Sequence, residues 1–286
     1  MHDTGLAILL GIIEGLTEFL PVSSTAHLRL SEAILGMDLS DPFWKMFSIV
    51  IQLGAICSLF VYFSGRLAKF MRTFPKGESG DRTIFNHPLT LVLVAFVVTG
   101  LPAYFLHKRI GKNLESLQVM GWALLIGGIV MWVVDARYGK RGRTDHVERM
   151  SLPQAIWIGA CQILSAVFPG TSRSMSTIAA GQLAGMTRQA ALEFSFLLSI
   201  PTMVVATGYE LYKSTLSKHQ DLELAPIHMD GHRWALLGIG TVVSFIVALG
   251  VVAWFMAWVR RRGFVPFAVY RIVVGVAVLI WASRGG

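Results

Sequence analysis

GIIEGLTEFLPVSSTAHL, running from Gly11 to Leu28, decides how this chain folds. An apolar helical run carries two carboxylates, breaks at Pro21, passes through Ser23, Ser24 and Thr25, and restarts with His27. A second stretch, GACQILSAVFPGTSRSMS from Gly159 to Ser176, repeats the design. Aligned without a gap, Gly11 falls on Gly159, Glu14 on Gln162, Leu16 on Leu164, Thr17 on Ser165, Pro21 on Pro169 and Ser24 on Ser172. The first copy carries Glu14, Glu18 and His27, the second Arg173. An acid and base set facing an anion-binding set points to a reaction centre inside a membrane.

The membrane follows from what surrounds the repeats. The 286 residues are 54% hydrophobic and 15% charged, with mean hydropathy +0.59. A soluble domain would carry about a quarter charged residues. The apolar residues come in long blocks, the mark of a polytopic membrane protein. A net charge of +8 does not make this a nucleic-acid binder, because no soluble domain with a basic face is visible. Cys57 and Cys161 lie in apolar runs and read as two buried small hydrophobes, with no disulfide or metal framework. The N-terminal apolar stretch lacks a basic leader and contains Glu14 and Glu18, so it does not read as a signal peptide.

Six full spans are expected, near 43–63, 88–107, 117–135, 190–212, 235–258 and 266–283. Each suits a hydrocarbon core roughly 30 Å thick, which takes about 20 helical residues. Segments 5–34 and 153–185 are apolar but interrupted at Pro21 and Pro169, so each is expected to be a re-entrant helix-loop-helix pair. Arginines and lysines concentrate in 64–87, 136–152 and 259–263, which the positive-inside rule sends to the cytoplasm. The opposite loops hold only Lys108, Arg109 and Lys112, then Lys213, Lys218 and Arg233. The two interrupted segments then enter from opposite sides. The expected fold is all-α: one integral-membrane domain over 1–286, six transmembrane helices plus two re-entrant segments. Its halves, about 1–150 and 151–286, form an inverted-topology repeat. Phe47-Ser48 matches Phe194-Ser195, and Gln52 and Gly54 fall opposite Ser199 and Pro201.

Glu14 and Glu18, four apart, share one helix face. They could be a structural polar pair, but two intramembrane carboxylates without nearby Lys or Arg are costly and point to function. Close carboxylates hold a divalent cation or share a proton. Among Ser23, Ser24 and Thr25, at least one hydroxyl should cap the restarting helix, leaving a neighbour for catalysis. His27, one turn beyond Ser24, suits general acid/base work, although a lone His is often a satisfied core residue. In the second copy Gly170 allows close backbone approach, while Thr171, Ser172 and Ser174 supply hydroxyls. The following helix N-terminus favours an anion, and Arg173 adds a bidentate clamp. The bland alternative is an Arg173 pairing with Glu14 or Glu18 for structure alone. Gln52 and Gln162 are candidates for the cavity wall. Asp135 and Glu210, at span ends, read as interfacial, and Trp122, Trp132, Trp254 and Trp258 as belt and packing.

These stretches resemble the bacterial undecaprenyl-diphosphate phosphatase family of the bacitracin-resistance type. The first motif stands here as Glu14-Gly-Leu-Thr-Glu18-Phe-Leu-Pro21-Val-Ser-Ser24-Thr-Ala-His27. The second is Pro169-Gly170-Thr171-Ser172-Arg173-Ser174-Met-Ser-Thr177. The likeness spans nearly the whole chain; Ala26 departs from it, where Gly is common. The resemblance implies hydrolysis of undecaprenyl diphosphate, released by cell-wall polymer assembly, to the recyclable monophosphate carrier. It implies a multi-pass protein of the bacterial inner membrane, working at the outer, periplasmic face with a divalent cation, Mg²⁺ or Ca²⁺. A homodimer stays open.

Joined to the residues, this gives an expected mechanism. The lipid tail stays in the bilayer and the diphosphate reaches the broken helices. Glu18, Ser24, His27, Arg173 and Glu14 are the candidate catalytic residues. Ser23, Thr25, Gly170, Thr171, Ser172, Ser174 and Thr177 are the candidates for substrate binding, and Glu14 and Glu18 for the metal. Ser24 or water attacks the terminal phosphorus, and His27 or Glu18 handles the proton. The rival is a lipid-phosphate flippase or secondary transporter using the same midplane site, since inverted repeats and broken helices mark those as well. The cluster of hydroxyls and His is what transport alone does not require.

Overall fold

A computed structural model describes residues 3–38, 41–78, 80, 82–110, 116–216 and 229–284, apart from the side chains of 106–110, 210 and 213–216. Lys112 and Lys218 lie outside the described residues, as do the side chains of Lys108, Arg109, Lys213 and Glu210. Six helices are long and apolar enough to cross a membrane. They are α3 (Pro42–Tyr62), α5 (Pro88–Ile110), α6 (Leu117–Tyr138), α9 (Arg188–Leu216), α10 (Gly231–Arg262) and α11 (Val265–Ser283). Their outward faces are apolar, with Leu93, Trp122, Ile126, Trp132, Ile246 and Val273 exposed. Lipid, not water, is the medium that suits such a surface. Among the described residues there is no strand, only one isolated bridge between Thr144 and Met186.

The interrupted segments are two helix pairs. α1 (Asp3–Thr17) and α2 (Ser24–Ile34) form the first; α7 (Leu152–Val167) and α8 (Arg173–Leu183) form the second. Their parts correspond closely. α2 and α8 each have 11 residues. Each starts from a serine N-cap at positive φ, Ser23 at 74° and Ser172 at 71°. Each ends before a glycine at positive φ, Gly36 and Gly185, whose N–H returns to Ala33 O and Gln182 O. Only glycine takes that left-handed stop without penalty. α1 packs on α10 and α7 on α5. At Gly11 an added Cβ would lie 2.7 Å from Gly240 O, and at Gly159 2.5 Å from Ala95 O, so both equivalent glycines permit backbone-close packing.

The correspondence also corrects the gapless alignment. N-caps, helix starts and terminal glycines all differ by one residue more than the prolines do. The second break is one residue longer, Pro169-Gly170-Thr171 against Pro21-Val22. Ser23 therefore matches Ser172, and Ser24 matches Arg173 rather than Ser172.

The three basic loops gather at one end. Arg66 bonds Glu148 and Glu193, tying 64–87 to 136–152 and to the start of α9. Within 64–87 lies a further helix, α4 (Ser64–Thr73), where the sequence suggested only a loop. It is short and amphipathic, burying Phe70 and exposing Met71. Asp135, near the end of α6, is buried, at 1% exposure. Its carboxylate accepts from Arg188 Nε at 2.6 Å and from Phe264 N at 3.0 Å, so it pins together the ends of α6, α9 and α11. Cys57 is exposed on the lipid-facing surface and Cys161 is half-buried, so neither is the buried small hydrophobe expected.

Candidate active site

Two helix breaks packed among membrane-spanning helices leave main-chain groups without intrahelical partners, and these need partners from elsewhere in the protein. The structure meets this by bringing the breaks together. Ser174 Oγ donates to Leu20 O at 2.9 Å, joining α8 to the first break. Arg271, from α11, donates to Pro21 O at 3.1 Å and to Gly170 O at 3.1 Å, one carbonyl from each break. The result is a cavity of about 270 Å³ whose wall includes Glu18, Ser23, Ser24, Thr25, Ser172 and Arg173.

Glu18 sits just past the end of α1 and is the hub. One carboxylate oxygen accepts from the Ser24 hydroxyl in a short hydrogen bond. The other meets Arg173 Nη2 at 3.2 Å. Both side chains of that ion pair are largely buried, at 12% exposure for Arg173 and 8% for Glu18. Arg173 also bonds the Ser199 hydroxyl and reaches Ser195 O at 3.5 Å. The first residue of α2 and the first residue of α8 thus converge on one carboxylate. Both positions are set by the N-cap turns, where Ser23 Oγ accepts from Ala26 N and Ser172 Oγ from Met175 N. The capping hydroxyl is Ser23, which leaves Ser24 free to face Glu18.

The opposite wall is neutral and polar: Gln52, Thr99, Gln162, Ser165 and Thr202. Gln162 Nε2 donates to Thr99 at 3.2 Å and to Thr202 at 3.3 Å. Glu14, its counterpart in the first copy, is fully buried at 0% exposure, and neither oxygen has a hydrogen-bond partner. Glu14 lies behind the cavity rather than on its wall.

Four further candidates are not on the cavity wall. His27 bonds Ser23 O through Nδ1 at 2.8 Å and Tyr270 Oη through Nε2 at 2.7 Å, so both ring nitrogens are engaged. Thr177 is buried, bonding Ser195 Oγ at 2.6 Å. Ser174 bonds Leu20 O, as above, and Ser172 Oγ at 3.1 Å. Thr171 is half-exposed beside the cavity rather than in its wall. Gly170 does line the cavity, but an added Cβ there would lie 2.8 Å from Met120 O, so its smallness also serves packing on α6.

Sequence reasoning missed Arg271, Ser199, Thr99, Thr202 and Tyr270. The signal for Arg271 was present: a lone arginine inside an apolar span is functional by default. The repeat matches Ser199 to Gln52, and both stand at the site.

A divalent cation can be judged from the donor set. Among the described residues no group of three or more His, Cys, Asp and Glu side chains is placed to hold a metal. The two carboxylates still fit one, because Mg²⁺ is commonly held by one or two carboxylates with phosphate oxygens and water completing the shell. The unpartnered Glu14 oxygens are the feature such an ion would explain.

The sequence is similar over nearly its whole length to those of known proteins. The family model described as bacitracin resistance protein BacA matches residues 7–277. An undecaprenyl-diphosphatase of Koribacter versatilis is 67% identical over 282 residues, 98% of each chain. An undecaprenyl-diphosphatase of Thermus thermophilus is 42% identical, covering 97% of each chain. Another, from Caldanaerobacter subterraneus subsp. tengcongensis, is 39% identical over 97% of this chain and 96% of its own. With its full set of motifs and near-complete coverage, the chain belongs to the bacitracin resistance protein BacA family.

Proposed function

We propose that this protein is a membrane phosphatase that hydrolyses undecaprenyl diphosphate to undecaprenyl phosphate and inorganic phosphate. The observation that carries it is the triple meeting at Glu18: a hydroxyl on one oxygen and a guanidinium on the other, in a buried polar cavity. A hydroxyl held by a carboxylate is an activated nucleophile, and a fixed cation beside it stabilises charge on a phosphoryl group.

Ser24 Oγ attacks the terminal phosphorus while Glu18 takes its proton. The bond from phosphorus to the bridging oxygen breaks, and the lipid monophosphate leaves with that oxygen. Glu18 hands that proton to the departing monophosphate. Water then attacks the phosphoserine phosphorus, giving a proton to Glu18 that passes to Ser24 Oγ as phosphate leaves. Arg173 exchanges its contact with Glu18 for the phosphoryl oxygens, and the N-terminus of α8 points its free N–H groups the same way. His27, held by Ser23 and Tyr270, orients the N-cap turn instead of moving the proton. Glu14 and Glu18 would hold Mg²⁺ or Ca²⁺, which neutralises phosphate charge when bound.

The finer topology belongs to the same proposal. The basic end, with Arg66, Arg149 and Arg260, faces the cytoplasm of the bacterial inner membrane. The two broken helices then form an inverted repeat, re-entrant from opposite sides, and the cavity opens to the periplasm. The deciding experiment is phosphate release from a prenyl diphosphate by purified protein in detergent, with and without chelator. Rapid quench with terminally labelled substrate should place label on Ser24. Label on Ser23 would correct the residue. No label in any variant, with Ser24→Ala retaining substantial activity, would replace the covalent step by direct attack of water.

A further inference from the structure

Arg271 is the largest fully buried side chain in the protein, at 0% exposure. It sits in the middle of α11, and a cation there is costly unless its donors are used. The donors it uses, on Nη1 and Nη2, go to main chain, while Nε has no partner. Nη1 donates to Pro21 O at 3.1 Å, and Nη2 to Gly170 O at 3.1 Å and Ala123 O at 3.0 Å. Pro21 lies three residues before Ser24, and Gly170 three residues before Arg173. The guanidinium therefore grips equivalent points of the two breaks, each one short turn upstream of a residue that meets Glu18. The site is shaped for it. At Gly127 of α6 an added Cβ would fall 2.3 Å from Arg271 Nη2 and 2.8 Å from Met175 Cε. At Gly128 it would fall 3.1 Å from Arg271 Cβ. Arg271 is not on the cavity wall, and its bonded donors face main-chain carbonyls.

We propose that Arg271 is a positioning residue for the phosphatase reaction, a clamp that fixes the register of the two breaks so that Ser24 and Arg173 address the same phosphoryl group. This rests on the phosphatase reading above. A planar fork holds separate carbonyls in a fixed relative geometry, which the compact, freely rotating donors of an ammonium do not impose. Relaxing the clamp lets one break slide against the other, and a misplacement near 1 Å is enough to cost about 10²-fold in rate.

The test uses the full-length protein in detergent with a prenyl diphosphate. Arg271→Lys keeps the charge and loses the fork. Gly127→Ala keeps Arg271 and pushes its guanidinium aside. Each is measured alone and combined with Arg173→Ala, with melting temperature and elution profile as controls. Both single variants should stay folded, hold KM within about threefold, and lose kcat by roughly 30- to 100-fold for Arg271→Lys and about tenfold for Gly127→Ala. In the Arg173→Ala background neither should cost more than about twofold further, because a clamp that aligns Arg173 has nothing left to align. A folded Arg271→Lys with unchanged kcat overturns the proposal. So does a loss of the same size with and without Arg173, or the absence of a folded peak for both variants, which would make Arg271 a folding element only. Failure of the phosphatase reading itself appears separately, as no phosphate release from the unsubstituted protein.

Discussion

The two helix breaks are built alike and carry different side chains. Both have a serine N-cap at positive φ, an 11-residue helix and a terminal glycine. At the first helical position one carries Ser24 and the other Arg173. On the preceding helix one carries Glu14 and the other Gln162. The scaffold supplies position, and the side chains set on it differ in charge and donor chemistry. The paired polar groups also differ in satisfaction. Gln162 donates to Thr99 and Thr202, whereas both Glu14 oxygens are unpartnered. Gln162 is bonded through its amide nitrogen only, its Oε1 being unpartnered as well, so it is the negative charge of Glu14 that would take a cation.

The comparison breaks most visibly at Arg173. Arg173→Ala should lose about 10³-fold or more in turnover, the scale of a lost transition-state donor. Lysine should rescue poorly because it lacks the fork. Near-normal turnover in folded Arg173→Ala would remove the clamp from the second copy.

On the first copy, Glu18→Gln should cost about 10²- to 10⁴-fold, the range of general acid–base catalysis. Replacing the exposed Glu78 is the control and should be silent. Full turnover in Glu18→Gln would reduce the Glu18 contacts to structure.

Glu14→Gln makes the first copy resemble the second. The concentration of Mg²⁺ giving half-maximal activity should rise at least about tenfold, the least expected from loosening a metal site. Titration after chelator treatment measures it, and an unchanged midpoint would place the ion elsewhere.

The shared scaffold makes a smaller prediction. The cap bonds are long, 3.4 Å at Ser23 and 3.3 Å at Ser172. Ser23→Ala and Ser172→Ala should each cost about 0.5–1 kcal/mol in thermal stability, with glycine milder because φ is positive at both sites. Responses that differ in sign between the two caps would end the structural equivalence.

The least effect lies at the basic end. Burial works against ionisation of Glu148, but its hydrogen bonds with Arg66 outweigh this and hold the carboxyl below its ordinary range. A depressed carboxylate stabilises the fold above its unfolded value, near 4.5, and that support fades as pH falls through the lower folded value. Both partners are 31% exposed, so the contribution should be under about 1 kcal/mol. Glu148→Gln should lower the melting temperature slightly at pH 7 and by less at pH 4. An equal deficit at both would assign the effect to packing.

The sequence alone determined the six spans and the positions of both breaks. Those are local properties. An apolar run long enough to cross, a proline that ends a helix and a serine that starts one act within a few residues of themselves. Tertiary structure decided which groups meet across helices. It alone separates Ser23, the cap, from Ser24, the hydroxyl on Glu18, because a one-residue difference in break length leaves no trace in a gapless match. It alone turns His27 to Tyr270, buries Asp135 against Arg188 and Phe264, and places Arg271 on both breaks. Each of those partners lies at least 53 residues away along the chain, where neither periodicity nor motif spacing carries information about contact.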